Sequence, residues 1–424
     1  MAYTVTAALP AATPHAPAAL PAATARPRLT ALHRALLWLV GASAAIVLIE
    51  PSPYEFATLL AIAVFLATGL SLRAAFLPPI ALLILINLGY SISAADLMSQ
   101  NRIFMWVMTS WYMAVTAVFF AMALSEDTAE RFAALGRGLI LSALIATALG
   151  LVGYFGIAGR DRFTLYSRLS GTFKDPNVYG AFVILPALLA LQSVVADPPR
   201  KALRNAIVFV FLCVGLLLAF SRAAWGLLVV TSAIMLALMV LTDPTRAGRR
   251  RIVVTTMIAI AALAVVIAVL LSLDQVQDLF RERATLGQSY DEGRFGRFGR
   301  HVLGAQLALD VPFGIGPLQF SKYFPEDVHN SYLNAFMSGG WLAGVCYPAL
   351  IFSTVIIGAR YLFVRTPWQR AYLAVFATFV GTVGESFIID TDHWRHYFML
   401  LGLMWGMGVA TQDFVTRQRA TARA

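Results

Sequence analysis

Apolar runs long enough to cross a lipid bilayer recur along nearly the whole chain, and no other feature restricts the possible folds as much. A spanning helix needs roughly 17–25 residues. About twelve runs of that kind stand out by hydropathy, over residues 33–49, 55–72, 74–93, 103–124, 136–157, 178–196, 205–220, 223–241, 252–273, 332–358, 371–388 and 396–413. They are continuous rather than alternating, and rich in Leu, Ala and Val, which points to helices rather than barrel strands. A content of 59% hydrophobic and 13% charged residues agrees, lying outside the range of soluble domains. The sequence therefore predicts an all-α polytopic transmembrane helical bundle. Helices 1–9 would occupy 31–273, a long loop 274–331 would separate spans 9 and 10, helices 10–12 would occupy 332–413, and 414–424 would form a tail.

Residues 1–30 are rich in Ala and Pro and read as a disordered tail. Arg26, Arg28 and Arg34 precede the first span, which places the N-terminus in the cytoplasm by the positive-inside rule. Counting spans from there, the inner connections carry Arg73, Arg131, Arg137, Arg200, Lys201, Arg204, the run Arg249–Arg251, Arg365 and Arg370. The C-terminus is then also cytoplasmic. Cys213 and Cys346 lie within apolar runs and imply no disulfide framework. No internal repeat is evident, which counts against a transporter built from repeats.

Other basic residues fall on the opposite, outer side, where that rule gives no reason for them. Arg160, Arg162, Arg168 and Lys174 surround the turn-rich stretch RLSGTFKDPNVYGAF at 168–182, with Pro176-Asn177 shaping its backbone. Arg222 sits at a short turn, Arg300 in the long loop, and Arg395 before the last span. A guanidinium stays charged at physiological pH and holds phosphate oxygens bidentately. An anionic partner such as a lipid-linked phosphate or pyrophosphate fits this clustering, whereas single arginines would also serve as headgroup anchors. His329 offers an imidazole, the side-chain type whose unperturbed pKa lies closest to neutrality and which therefore suits proton transfer. With Asn330 it stands at the outer start of span 10, where both residues would equally serve as helix caps. Asp390-Thr-Asp392 has the form of a metal-binding Asp-x-Asp, but no nucleotide-binding domain accompanies it, so a polar rim is expected rather than a metal site. Glu385, at membrane depth, is expected to pair with one of the arginines.

Three segments resemble the signature blocks of the bacterial O-antigen ligase and polysaccharide polymerase superfamily: GTFKDPNVYGAF at 171–182, FSRAAWGLL at 220–228 and HNSYLNAFMSGGWLAG at 329–344. RFGRHVLGAQLALDVPFGIGPLQF at 297–320 resembles the stretch before the last block, and the resemblance covers about 150–413. It implies a metal-independent, inverting glycosyltransferase of the bacterial inner membrane with a periplasmic site and no cofactor. The donor would be a glycan on undecaprenyl pyrophosphate. The acceptor would be lipid A core for a ligase, or a second lipid-linked repeat unit for a polymerase. Membrane lipids would be the other partners, and nucleic acid none. His329 and Arg222 are the expected catalytic residues; Arg160, Arg168, Lys174, Asn177, Arg300, Asn330 and Arg395 are expected to bind substrate. A flippase for lipid-linked glycans is the rival, and would string ionisable groups along the spans.

Overall fold

The computed structural model describes residues 27–284 and 293–423, so most of the expected N-terminal tail lies outside the described residues. Each apolar run folds into a helix. The first five are α1 (Pro27–Ser43), α2 (Pro53–Thr68), α3 (Leu77–Ser93), α4 (Asn101–Leu124) and α5 (Thr128–Tyr154). A one-turn α6 (Arg160–Phe163) precedes α7 (Pro176–Ala196), α8 (Pro199–Leu218), α9 (Arg222–Thr242) and α10 (Arg246–Leu271). The loop expected over 274–331 carries two helices, α11 (Asp274–Arg283) and α12 (Arg297–Asp310). The chain closes with α13 (Ser331–Ala359), α14 (Gln369–Glu385) and α15 (Arg395–Arg423).

Among the described residues nine helices are long and apolar enough to cross a membrane, fewer than the twelve expected. The other three, α1, α2 and α14, have 17, 16 and 17 residues. In α2 the reason is local. Pro53 starts the helix, the Glu55 carboxylate accepts from the Ser52 amide at 2.6 Å, and Gly69 at φ +106° stops it before the apolar run is spent.

α7 is the most enclosed spanning helix and packs on α5, α8, α9 and α14. α10, by contrast, buries only Ile252, leaving its apolar surface to lipid. Between α6 and α7 lies a minimal hairpin, β1 (Thr164–Leu165) against β2 (Arg168–Leu169). Its turn residues, Tyr166 and Ser167, have φ of +51° and +57°, the left-handed pair a tight hairpin requires.

α13 does not run straight as the sequence suggested. Gly339 and Gly340 leave helical geometry, and a Cβ on Gly340 would lie 2.4 Å from the Pro312 carbonyl oxygen. The segment 312–316 occupies the break. Ile315 and Gly316 donate to the Met337 carbonyl at 2.8 and 3.2 Å, and Trp341 donates to the Pro312 carbonyl at 2.9 Å. Backbone groups freed by the kink are thus satisfied within protein, the condition for irregular backbone at membrane depth.

Candidate functional site

At the end of the bundle where α7, α9 and α13 begin, a cavity of about 890 Å³ gathers residues from segments far apart in sequence. Of the sequence-nominated residues it brings together Arg168, Asn177, Arg222 and His329. Arg283, Arg297, Glu326 and Glu385 join them.

Arg168 is held before any ligand arrives. Its Nε donates to the Ala219 carbonyl at 2.8 Å and its Nη2 to Asn177 Oδ1 at 2.9 Å, tying the hairpin to the end of α8 and the start of α7. Asp175 caps α7 by accepting from the Asn177 amide at 2.6 Å. Arg222 and Arg297 are the first residues of α9 and α12. Helix N-termini carry partial positive charge, so a cation there is unfavourable for the helix and raises the local potential. A bound anion relieves that cost, and the same termini offer amides to it.

His329 has a left-handed backbone, φ +49°, just before α13. Its Nδ1 lies 3.1 Å from Asp390 Oδ2, while its carbonyl accepts from His301 Nε2 at 3.3 Å. With Nδ1 engaged by the carboxylate, Nε2 is the ring nitrogen left for a ligand. Burial pushes the Asp390 carboxyl above the usual carboxylate range, against the opposing pull of its hydrogen bond to His329. Burial likewise lowers the His301 ring below its ordinary value.

Several nominated residues stand elsewhere. Arg160 is exposed on α6, outside the cavity lining. Arg300 is 1% exposed and pairs at 2.5 Å with Glu326, whose carboxylate reaches the lining. Asn330 is occupied as the cap of α13, accepting from Tyr332 and Leu333 amides at 3.1 Å and donating to the Phe387 carbonyl at 3.0 Å. Lys174 and Arg395 line a separate cavity of about 180 Å³. There Lys174 meets Glu50 at 2.9 Å, and Arg395 meets Glu55 with its Nε at 3.0 Å. Asp175 lines that cavity and Asn177 the larger one, so the start of α7 separates the two groups of cations.

Glu385 corrects another expectation. It is buried and lines the large cavity, yet neither carboxylate oxygen has a hydrogen-bond partner among the described residues. Asp390 and Asp392 turn to different partners, Asp390 to His329 and Asp392 to Asn334 Nδ2 at 2.8 Å. Sequence reasoning passed over Arg283, Arg297 and the His329–Asp390 pair. A signal existed for Arg297, which lies one helical turn before Arg300 and shares its face. No local signal could link Asp390 to a histidine in another connection.

Below the charges the cavity wall turns apolar, with Leu227 and Val230 of α9 facing Val380 of α14 and Ile388 beyond it. Gly226 and Gly384 look onto open space there.

The fold and this site define a class: a multi-pass helical membrane protein with a cationic, histidine-bearing cavity at one end of the bundle, floored by an apolar slot. Residues 207–347 match the family model of the O-antigen ligases, a stretch that includes Arg222, Arg300 and His329. Members of that family are glycosyltransferase-like enzymes acting on lipid-linked glycans. No curated protein matches the chain.

Proposed function

We propose that this protein is an inner-membrane glycosyltransferase that moves a glycan from undecaprenyl pyrophosphate to an acceptor hydroxyl at the periplasmic face. Its type is O-antigen ligase, with lipid A core as acceptor. The observation that carries the reading is the meeting, in one cavity, of His329 backed by Asp390 with the guanidinium groups of Arg168, Arg222, Arg283 and Arg297.

The chemistry follows from the groups. The arginines hold the pyrophosphate, and the apolar slot between α9 and α14 takes the first isoprenoid units. His329 Nε2 accepts the proton of the acceptor hydroxyl, whose oxygen attacks the anomeric carbon from the side opposite the pyrophosphate. The new C–O bond forms as the old one breaks, inverting the carbon. Undecaprenyl pyrophosphate leaves with the bonding electrons, its growing charge met by fixed guanidinium groups. Because these supply the countercharge, the reading needs no metal ion.

Purified protein supplied with undecaprenyl-pyrophosphate glycan and either lipid A core or a second lipid-linked unit should transfer glycan to lipid A core. Transfer only to the second lipid-linked unit would make it a polymerase. Folded His329→Ala and Arg222→Ala variants should each lose about a hundredfold or more in rate. Full transfer by either variant would remove that residue from the mechanism.

A further inference from the structure

Three helices that reach the candidate site also end at a second cavity far from it. α7 and α9, each of 21 residues, finish there, and α14 begins there. At 1.5 Å per residue the two cavities stand roughly 25–30 Å apart, on opposite faces of the bundle. This second cavity measures about 360 Å³.

Its lining divides by chemistry. Arg251, Arg365 and Arg370 reach it from α10, from the connection after α13 and from α14. Val195, Ile252 and Leu373 form an apolar wall. One carboxylate, Asp243, shares the lining with the three arginines, and Asp197 stands beside it. Asp243 Oδ1 accepts from the Thr245 amide and hydroxyl at 2.8 and 2.9 Å. Asp197 meets Lys201 at 3.2 Å and Arg370 only at 3.9 Å. Arg251 donates to the Asp197 carbonyl, and Arg365 has no ion pair among the described residues. Guanidinium groups held over an apolar wall, beside a helix that leaves nearly its whole surface to lipid, match one ligand shape: a phosphate joined to acyl chains.

We propose that this cavity is a binding site for an anionic phospholipid, with its phosphodiester among Arg251, Arg365 and Arg370 and an acyl chain along Val195, Ile252 and Leu373. The site is independent of glycan transfer. It would couple the α7–α9–α14 packing unit to the anionic lipid content of the membrane.

Native mass spectrometry of the full chain in neutral detergent tests this, with phosphatidylglycerol, phosphatidylcholine or inorganic phosphate added. Phosphatidylglycerol should be retained in preference to phosphatidylcholine. Each arginine removed should weaken retention about fivefold, so Arg365→Gln with Arg370→Gln should weaken it about 25-fold. Arg200→Gln with Arg204→Gln removes equal charge from the same face outside the cavity, and should cost no more than about twofold. Ile252→Trp keeps every arginine, fills the apolar wall and should also reduce retention, which keeps the test open if the double variant fails to fold. Unchanged retention in the folded double variant or in Ile252→Trp overturns the proposal. So does an equal loss in the control, which would mean diffuse attraction, or displacement by equimolar inorganic phosphate, which would mean a small-anion site.

Discussion

At the scale of single residues, the pairing of His329 with Asp390 bears most on function. In the proposed mechanism the carboxylate would select which ring nitrogen carries the proton and stabilise the imidazolium formed when Nε2 takes another. Asp390→Asn keeps the shape and removes the charge, so the rate of glycan transfer should fall on the order of a hundredfold with little change in donor KM, measured by radiolabelled glycan transfer. The sign of the pH dependence follows from burial, which raises the Asp390 carboxyl. Protonation then occurs at a higher pH than for an ordinary carboxylate, and transfer should be lost on acidification before free carboxylates titrate. In Asp390→Asn the acid limb should lose that component; an identical limb in both proteins would separate Asp390 from catalysis. Arg168 acts differently. Held by Ala219 and Asn177, it is positioned before substrate binds, which lowers the entropy lost when the anion arrives. Asn177→Ala should therefore raise donor KM several-fold while leaving the histidine chemistry intact.

At the scale of elements, two features of the helices set the site's shape. The first is the break in α13. Gly340 at φ +63° both adopts a backbone that side chains disfavour and leaves room for 312–316. Gly340→Ala should cost about 1–3 kcal/mol, read as a lowered Tm in detergent and as new protease cleavage near 312–316. An unchanged Tm would show that the break tolerates a methyl group. The second is the slot between α9 and α14, where a Cβ on Gly384 would meet nothing within 4 Å beyond its own stretch of helix. Gly384→Leu should fold at least as well as the parent, since leucine favours helix by up to about 1 kcal/mol over glycine. It should fill the slot and raise the KM for long-chain donors about tenfold, with less effect on donors with short isoprenoids. Equal effects on both would place the isoprenoid elsewhere.

At the scale of the whole molecule, the bundle is polarised, with a histidine-bearing cavity at one face and an arginine-rimmed, apolar-walled one at the other. In a chain lacking Cys213 and Cys346, Tyr166→Cys, at the exposed tip of the hairpin, should react with impermeant maleimide in spheroplasts with intact membranes. Arg250→Cys should react only after permeabilisation. The reverse pattern would invert the orientation. The membrane-spanning fold was legible in the sequence because hydrocarbon leaves backbone amides no partner but their own helix, so hydropathy alone dictates helices and their approximate ends. The chemistry of the outer connections was legible too, since clustered arginines and a histidine at the start of span 10 can be read from the local sequence. Which of them share a cavity was decided only by tertiary packing. The start of α7 divides Arg168 from Lys174; Glu55, 340 residues away in sequence, takes Arg395; and Asp390, 61 residues from His329, supplies its partner. Hydropathy acts over one helix length and so can be read locally, whereas ion pairs and hydrogen bonds act over about 3–4 Å and depend on how the finished helices stand beside one another.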